Sequence, residues 1–184
     1  MDDSKIIELF YERSEQAIVE LSKKYGDTCH KIAFNILKNH SDAEECVNDA
    51  YLGAWNSIPP QNPKPLLSYI CKIVRNISVK RYRQNTAKKR NSYYDVALDE
   101  LENCLPISEE TYAISASELS KLLDDFLDGL DKTNRIMFVR RYWFSDSVSD
   151  IASMLGMNEH AVVARLSRTR EKLRKYLVKK GVEI

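Results

Sequence analysis

The sequence predicts an all-α protein made of two small helical domains, joined by an acidic linker, with the second domain ending in a helix-turn-helix. Only five Gly and five Pro occur in 184 residues, and four of the prolines lie within residues 59–65. Apolar residues recur at the three- and four-residue spacing of amphipathic helices through most of the chain. Charge is segregated as well: residues 72–90 contain eight Lys or Arg and no acid, whereas residues 95–110 contain six Asp or Glu and no base.

The composition excludes several classes of protein. A hydrophobic fraction of 43% and a charged fraction of 30% are typical of a globular chain rather than a disordered one. No apolar run approaches the ~20 residues that span a bilayer, and the N-terminal MDDSKIIELF is too acidic and too short in apolar length for a signal peptide. We therefore expect a cytoplasmic protein with no membrane partner and with its four cysteines reduced. Cys29, Cys46 and Cys71 lie near apolar helix stripes and are predicted to be small buried hydrophobic residues rather than metal ligands or disulfides.

The first domain is predicted at residues 1–90. A helical pattern runs from Ser4 to Leu37, and we expect a break near Gly26. Ser41 is the predicted N-cap of the next helix, with Glu44 in the capping-box position. This second helix carries an exposed acidic ridge in its first half. The acids can simply compensate the helix dipole, or a basic partner surface can relieve their mutual repulsion, and the residues alone leave both alternatives open.

A loop rich in proline and a basic helix complete the first domain. The four prolines exclude helix and predict an extended loop over residues 58–65, whose role the sequence does not reveal. From about Leu66 to Gln84 a helix follows, with Arg81 as the one base on its apolar side. Its exposed side is predicted to carry Lys72, Arg75, Asn76, Lys80 and Arg83, and the basic track continues through Lys88, Lys89 and Arg90. Tyrosines accompany this track at Tyr69, Tyr82, Tyr93 and Tyr94.

Interleaved cations and aromatic rings suit unpaired nucleic acid, because the cations hold the backbone while the rings stack on bases. The alternative is a solvated basic face. A net charge of only +1 does not argue against nucleic acid, since the charges are segregated along the chain.

Residues 91–115 are predicted as the linker, with a short helix at 95–104. The last domain, residues 116–184, is expected to begin with one helix over Ser115–Leu130 and another over Asn134–Phe144. The chain turns between them at residues 131–133.

Residues 145–177 predict two helices joined by a sharp turn. Ser147 with Asp150 caps the first helix, Gly156 ends it, and Asn158 caps the second. The buried stripe of the second helix is predicted at Val162, Leu166, Thr169, Leu173 and Leu177. Its opposite face carries His160, Ala164, Ser167, Arg168, Glu171 and Lys175, with Arg165 and Lys172 at the edge.

This pattern is typical of a helix-turn-helix whose second helix lies in the major groove. Residues 165–180 hold eight Lys or Arg against one acid, which suits neutralisation of phosphates beside the groove. An ordinary helical hairpin with a solvated basic face is the alternative.

Three segments together, DAEECVNDAYLGAW, SYICKIVRNISVKRYR and DIASMLGMNEHAVVARLSRTREKLR, resemble bacterial RNA polymerase sigma factors of the small two-domain, extracytoplasmic-function (ECF) type. The resemblance covers nearly the whole chain. It implies a sigma factor that binds core RNA polymerase and promoter DNA and directs promoter-specific initiation, with no enzymatic activity, cofactor or metal. An anti-sigma factor is a further candidate partner.

The resemblance also implies which residues bind. Glu45, Asn48 and Asp49 would dock on the clamp helices of the largest polymerase subunit, and the basic positions of the helix Tyr69–Arg83 would hold the opened −10 strand. The last domain would bind −35 duplex and the flap of the second-largest subunit. The implied −35 contacts are Asn158, His160, Ala164, Arg165, Ser167, Arg168 and Lys172.

The sequence departs from the family pattern at several of these positions. Asn48 replaces the usual Gln, Tyr69 replaces a Trp, and Lys80 replaces an Asp. Residues 161–166 read AVVARL where Thr-Val-Lys-Ser-Arg-Leu is usual, so three polar candidates for DNA contact are absent. The best remaining −35 candidates are His160, Ser167 and Arg168.

Two other functions were weighed. A helix-turn-helix regulator that never binds polymerase leaves the acidic helix and the first basic helix without a role. A hydrolase or nuclease lacks support, because the sequence contains no HExxH, GxSxG or Walker motif and no cluster of carboxylates with histidine.

Overall fold

The computed structural model describes residues 1–85, 93–102, 104 and 116–182, and α-helices account for most of these residues, without a strand among them. The helices are α1 Asp3–Tyr11, α2 Gln16–Leu37, α3 His40–Ser57, α4 Leu66–Asn85, α5 Tyr93–Glu102, α6 Ala116–Asp128, α7 Lys132–Tyr142, α8 Val148–Leu155 and α9 Glu159–Lys179. The chain divides into two compact units, Met1–Ser92 and Tyr93–Ile184. No helix among the described residues combines the length and apolar character needed to cross a bilayer.

The first unit is built on three helices, α2, α3 and α4, each of which packs against the other two, while α1 packs on α2. Its core is apolar, and Phe10, Leu21, Ile36 and Ile70 are fully buried. Because α3 and α4 each turn one side to this core, the other side of each helix faces solvent.

The predicted break in the first helix was misplaced. The chain leaves the helix between Tyr11 and Gln16, where Arg13 has a positive φ of 55°, and it continues as helix through Gly26. A Cβ at Gly26 would lie 3.4 Å from both Ser22 Oγ and Tyr51 Oη. Gly26 therefore gives space to a side chain of α3, and it does not end α2.

Two predicted helix starts also shift by two residues toward the N-terminus. Asn39, and not Ser41, is the N-cap of α3, and its side chain accepts a hydrogen bond from the Asp42 amide. Asp131 likewise caps α7 by accepting from the Asn134 amide, so α7 begins at Lys132. In both cases a residue whose side chain can serve as an N-cap lies directly before the first residue of the helix.

The proline-rich segment lies outside any helix, as predicted, but part of it is a turn rather than extended chain. Residues 58–60 form this turn, and the Gln61 amide donates to the Ser57 carbonyl over 3.0 Å. The Tyr11 hydroxyl donates to the Pro60 carbonyl over 3.1 Å. These bonds tie the loop to the exit of α3 and to α1.

The second unit packs its apolar side chains around α9. The predicted stripe of α9 is confirmed, since Val162, Leu166, Thr169, Leu173 and Leu177 are its buried residues. They share a core with Met137 of α7 and Ile151 of α8. Thr169 satisfies its hydroxyl inside this core by donating to the Arg165 carbonyl over 2.8 Å.

The segment predicted as linker, residues 91–115, contains α5, a helix that packs against α7 and belongs to the second unit. Tyr94 is buried there, so its ring is not exposed for stacking on a base as we expected. Residues 86–92, which include Lys88, Lys89 and Arg90, and residues 105–115 lie outside the described part of the chain. Cys29, Cys46 and Cys71 are buried, as predicted, and Cys104 is buried as well.

Candidate functional site

The solvent-facing side of α3 carries the three predicted polymerase contacts. Glu45, Asn48 and Asp49 are all exposed, and their spacing places them on one face of the helix. Leu52 continues this face one turn later with 58% of its surface exposed. The sequence analysis missed Leu52, although its place three residues after Asp49 puts it on the same face of the helix.

A base from α4 neutralises part of the acidic ridge. Arg81 Nη2 lies 2.5 Å from Glu45 Oε1, and its Nη1 lies 3.6 Å from Asp42 Oδ1. The hydrogen bond and charge of Arg81 lower the pKa of Glu45. Asn85 Nδ2 adds a 3.3 Å bond to Asp42 Oδ2. Arg81 was predicted on the apolar side of α4, and this pairing explains how a charged residue is accommodated there.

The opposite side of α4 forms a basic surface. Lys72, Asn76, Lys80 and Arg83 are exposed, and Arg75 is half-buried. The helix buries Leu66, Ile70, Cys71, Val74 and Ser78 on its other side. Tyr69, at the start of α4, is half-buried and donates its hydroxyl to Ser57 Oγ over 2.8 Å. The predicted −10 residues thus share one face, with Tyr69 held near its N-terminal end by the last residue of α3.

The α8–α9 pair has the local geometry that the sequence predicted. Ser147 Oγ accepts from the Asp150 amide over 3.0 Å, and Asn158 Oδ1 accepts from the Ala161 amide over 2.7 Å. Gly156 ends α8 with a φ of 63°, a left-handed conformation that favours glycine. Only residues 156–158 separate the two helices, so α9 begins directly after a tight turn.

The exposed face of α9 contains most of the predicted −35 contacts. His160, Arg165, Ser167, Arg168 and Lys172 are exposed, and Ala164 is half-buried. The side-chain oxygen of Asn158 accepts the hydrogen bond of its own helix cap, whereas its amide NH₂ takes no part in the cap and can donate to a ligand.

Two exposed apolar residues on this pair escaped the sequence analysis. Val163 of α9 is 51% exposed and Met154 of α8 is 49% exposed. Val163 stands where the family usually has Lys, and its exposure shows that the replacement puts an apolar group on the outer surface. An apolar side chain in the major groove contacts the methyl group of thymine.

Comparison with known proteins decides the family. Residues 21–88 match the family model for sigma-70 region 2, and residues 120–173 match the model for sigma-70 region 4. Over 171 residues the chain is 23% identical to the ECF RNA polymerase sigma factor SigW of Bacillus subtilis, covering 89% of this chain and 90% of that protein. The chain belongs to the sigma-70 family, as a sigma factor of the ECF type.

Another curated protein and one solved structure are also similar to this chain. The ECF sigma factor SigE of Mycolicibacterium smegmatis is 24% identical over 164 residues, which cover 89% of this chain and 63% of that protein. A solved structure of CnrH in complex with the cytosolic domain of CnrY is 21% identical, with a TM-score of 0.45 over 96% of this chain and 97% of that one.

As a sigma factor, the chain directs promoter-specific transcription. Core RNA polymerase and promoter DNA are the partners that membership in the family implies. Sigma factors as a family are not enzymes. Helix α5, residues 93–102, lies between the two segments that the family models match.

Proposed function

We propose that this sigma factor divides its contacts among three helix faces. The exposed face of α3 binds the clamp helices of the largest polymerase subunit, and the basic face of α4 holds the opened −10 strand. The exposed face of α9 reads −35 duplex, and the second unit also docks on the flap of the second-largest subunit. The protein works in the cytoplasm, where it joins polymerase at the promoter.

The observation that carries the proposal is the match between charge and partner on each face. Asp49 and its neighbours on α3 present acids with an exposed leucine among them, which suits a protein surface with basic residues. The faces of α4 and α9 present cations, which suit the phosphate backbone. No covalent step is needed, because binding of the opened strand supplies the free energy for melting.

The polymerase contact is tested by charge reversal. Asp49→Arg is expected to abolish co-elution of the full chain with core RNA polymerase, because it places a cation against a basic partner surface. Asp27→Arg makes the same change at an exposed position of α2 and serves as the control. Retained co-elution of Asp49→Arg, with both variants folded by circular dichroism, would remove α3 from the proposal.

The −10 contact is tested with single-stranded DNA. In holoenzyme, Arg83→Ala is expected to weaken binding of the non-template −10 strand by roughly threefold to tenfold, and to reduce the salt dependence of binding. Lys5→Ala, an exposed position on α1, is the matched loss of one charge. Equal weakening by both variants would indicate a general charge effect and would contradict a contact on α4.

The −35 contact is tested with promoters that differ only at −35. Arg168→Ala is expected to lower initiation from an intact promoter by roughly tenfold, the effect of one lost base contact, and to leave a −35-scrambled promoter unchanged. Lys121→Ala on α6, also exposed, is the control. If the wild type initiates equally from both promoters, α9 does not read a −35 element.

Co-elution with core polymerase also separates this proposal from its alternative, a helix-turn-helix regulator that acts without polymerase. DNA binding without co-elution would favour that alternative. An anti-sigma factor is included in the proposal on the family resemblance alone, and addition of a candidate protein should then block co-elution.

A further inference from the structure

A single carboxylate of α5 connects three helices of the second unit. Arg141 of α7 donates to both oxygens of Glu100, through Nη2 to Oε1 over 2.6 Å and through Nε to Oε2 over 3.2 Å. The Tyr142 hydroxyl donates to Oε2 over 2.9 Å. From α9, Arg170 Nη1 lies 3.2 Å from the same oxygen and donates to the Tyr142 hydroxyl over 2.7 Å.

The network reaches both helices of the candidate −35 reader. Arg170 belongs to α9 itself. Arg141 Nη1 donates to the Asp146 carbonyl over 2.9 Å, and the carboxylate of Asp146 pairs with Arg140 at 2.5 Å. Asp146 directly precedes Ser147, the N-cap of α8. Glu100 therefore contacts α9 directly and supports the start of α8 through one arginine.

Burial makes this arrangement specific. The side chain of Arg141 is 3% exposed, while those of Glu100 and Arg170 are 24% and 21% exposed. A buried guanidinium needs an anion and filled hydrogen-bonding positions, so it tolerates few alternative geometries. Burial also raises the pKa of Tyr142, so its hydroxyl keeps the proton that it donates to Glu100.

Arg170 lies on a different face of α9 from the residues that we propose contact DNA. It follows the buried Thr169, and at 100° per residue it stands about 110° from the centre of the face that carries Ala164 and Ser167. Its cation is directed toward α5, so it is suited to hold α9 in place rather than to contact a phosphate.

We infer that Glu100 is a positioning residue for −35 recognition: it fixes α9 against α7 and the start of α8, and makes α5 part of the DNA-reading unit. The inference rests on the proposed −35 function of α9. A role in stability alone would lower every activity of the protein together. A positioning role instead lowers the preference for the correct −35 sequence, because base contacts depend on the placement of α9 whereas non-specific contacts do not.

The test uses holoenzyme assembled from core polymerase and the full chain. A promoter is first selected by the wild type from a randomised library, and a second template keeps its −10 element but carries a scrambled −35 element. The measured quantity is the ratio of abortive initiation rates on the two templates. The two test variants are Glu100→Gln and Arg170→Met, and the second leaves the Glu100–Arg141 pair in place. The control is Asp99→Asn, at an exposed neighbouring position on α5.

We expect Glu100→Gln and Arg170→Met to lower this ratio at least fivefold, with rates on the scrambled template within twofold of the wild type. Asp99→Asn should keep the wild-type ratio. A proportional loss of rate on both templates would indicate a folding defect or a lost phosphate contact. If Arg170→Met shows such a proportional loss, the inference is overturned. An unchanged ratio of the two rates would overturn it as well. A wild type with no preference between the templates would instead overturn the proposed −35 function itself.

Discussion

The two units of this sigma factor place their long-range ion pairs in different environments. In the first unit, Arg81 and Glu45 join α4 to α3 with side chains that are 26% and 57% exposed. In the second unit, Arg141 and Glu100 join α7 to α5 with side chains that are 3% and 24% exposed. The first pair is screened by water and salt, and the second is largely removed from both.

The difference teaches which contacts can change without cost to the fold. An exposed pair contributes little to stability, so its partners are free to serve binding. A buried pair becomes costly once one partner is removed, because the other charge remains without compensation. Substitutions at the exposed Arg81–Glu45 pair of the first unit should therefore change function with little effect on folding, whereas those in the charged network of the second unit should change both.

The largest expected effect is at the buried arginine. Arg141→Met should destabilise the second unit by about 2–3 kcal/mol, because Glu100 keeps Arg170 and Tyr142 but loses its bidentate partner, and the Asp146 carbonyl loses a donor. Trp55 lies in the first unit and Trp143 in the second, so each can report on its own unit once the other is replaced by Phe. Urea unfolding followed by Trp143 fluorescence should shift strongly, and unfolding followed by Trp55 should not. A shift below about 1 kcal/mol would remove the contrast between the units.

Removal of a helix cap is expected to have the next largest effect on the free energy of unfolding, and this effect should be equal in the two units. Asn39→Ala removes the cap of α3, and Asn158→Ala removes the cap of α9. Each should cost about 1 kcal/mol, measured by the same fluorescence method. A larger cost for Asn158 alone would mean that its unit amplifies local changes. In addition, if Asn158→Ala changes −35 preference beyond this loss of stability, its side chain contacts DNA.

A stabilising substitution is expected in the turn before α8. Ser145 has a positive φ of 55° and a buried hydroxyl without a hydrogen-bond partner among the described residues. Ser145→Gly should raise the unfolding free energy of the second unit by about 0.5–1 kcal/mol, because glycine adopts this conformation without strain. Ser145→Ala removes the hydroxyl but keeps the strain and separates the two causes. Destabilisation by glycine would show that the hydroxyl contributes to packing.

The smallest effect on the fold is expected at the exposed pair of the first unit. Arg81→Gln should return the pKa of Glu45 toward the usual glutamate value, since Arg81 is the main cause of its decrease. Because that pKa is lowered in the folded state, the pair stabilises above the usual glutamate pKa, and this contribution is lost as pH falls through the lowered value. NMR titration of the Glu45 side chain in both proteins measures the change. An unaltered titration would show that Arg81 does not hold Glu45 in solution.

Much of the fold was predictable because its signals are local. The caps of α8 and α9, the left-handed Gly156 and the buried stripe of α9 all follow from residues three or four apart. Helix α4 began and ended within one residue of its prediction. The faces of α3 and α4 could be assigned for the same reason, since helical spacing alone sets which residues share a side.

The charged contacts could not be predicted, because their partners are distant in the chain. Glu100 meets Arg141 and Arg170 across 41 and 70 residues, and no sequence pattern links these positions. The acidic composition of α5 resembled a solvated linker, yet one of its acids neutralises buried bases. The break predicted at Gly26 was wrong for a similar reason, because the residue that Gly26 makes room for, Tyr51, belongs to another helix.

The length of α9 gives its attachment to α5 a mechanical consequence. Its 21 residues make a rigid rod of about 31 Å, and Arg170 lies near the midpoint, about 15 Å along the axis from His160. The contact with Glu100 thus lies close to the point about which α9 can tilt. A tilt of about 5° there moves His160 by roughly 1.3 Å, whereas hydrogen-bond distances vary by only about 0.5 Å. An angular change at the Glu100 contact is therefore magnified at the N-terminal end of α9, which we propose reads the −35 element.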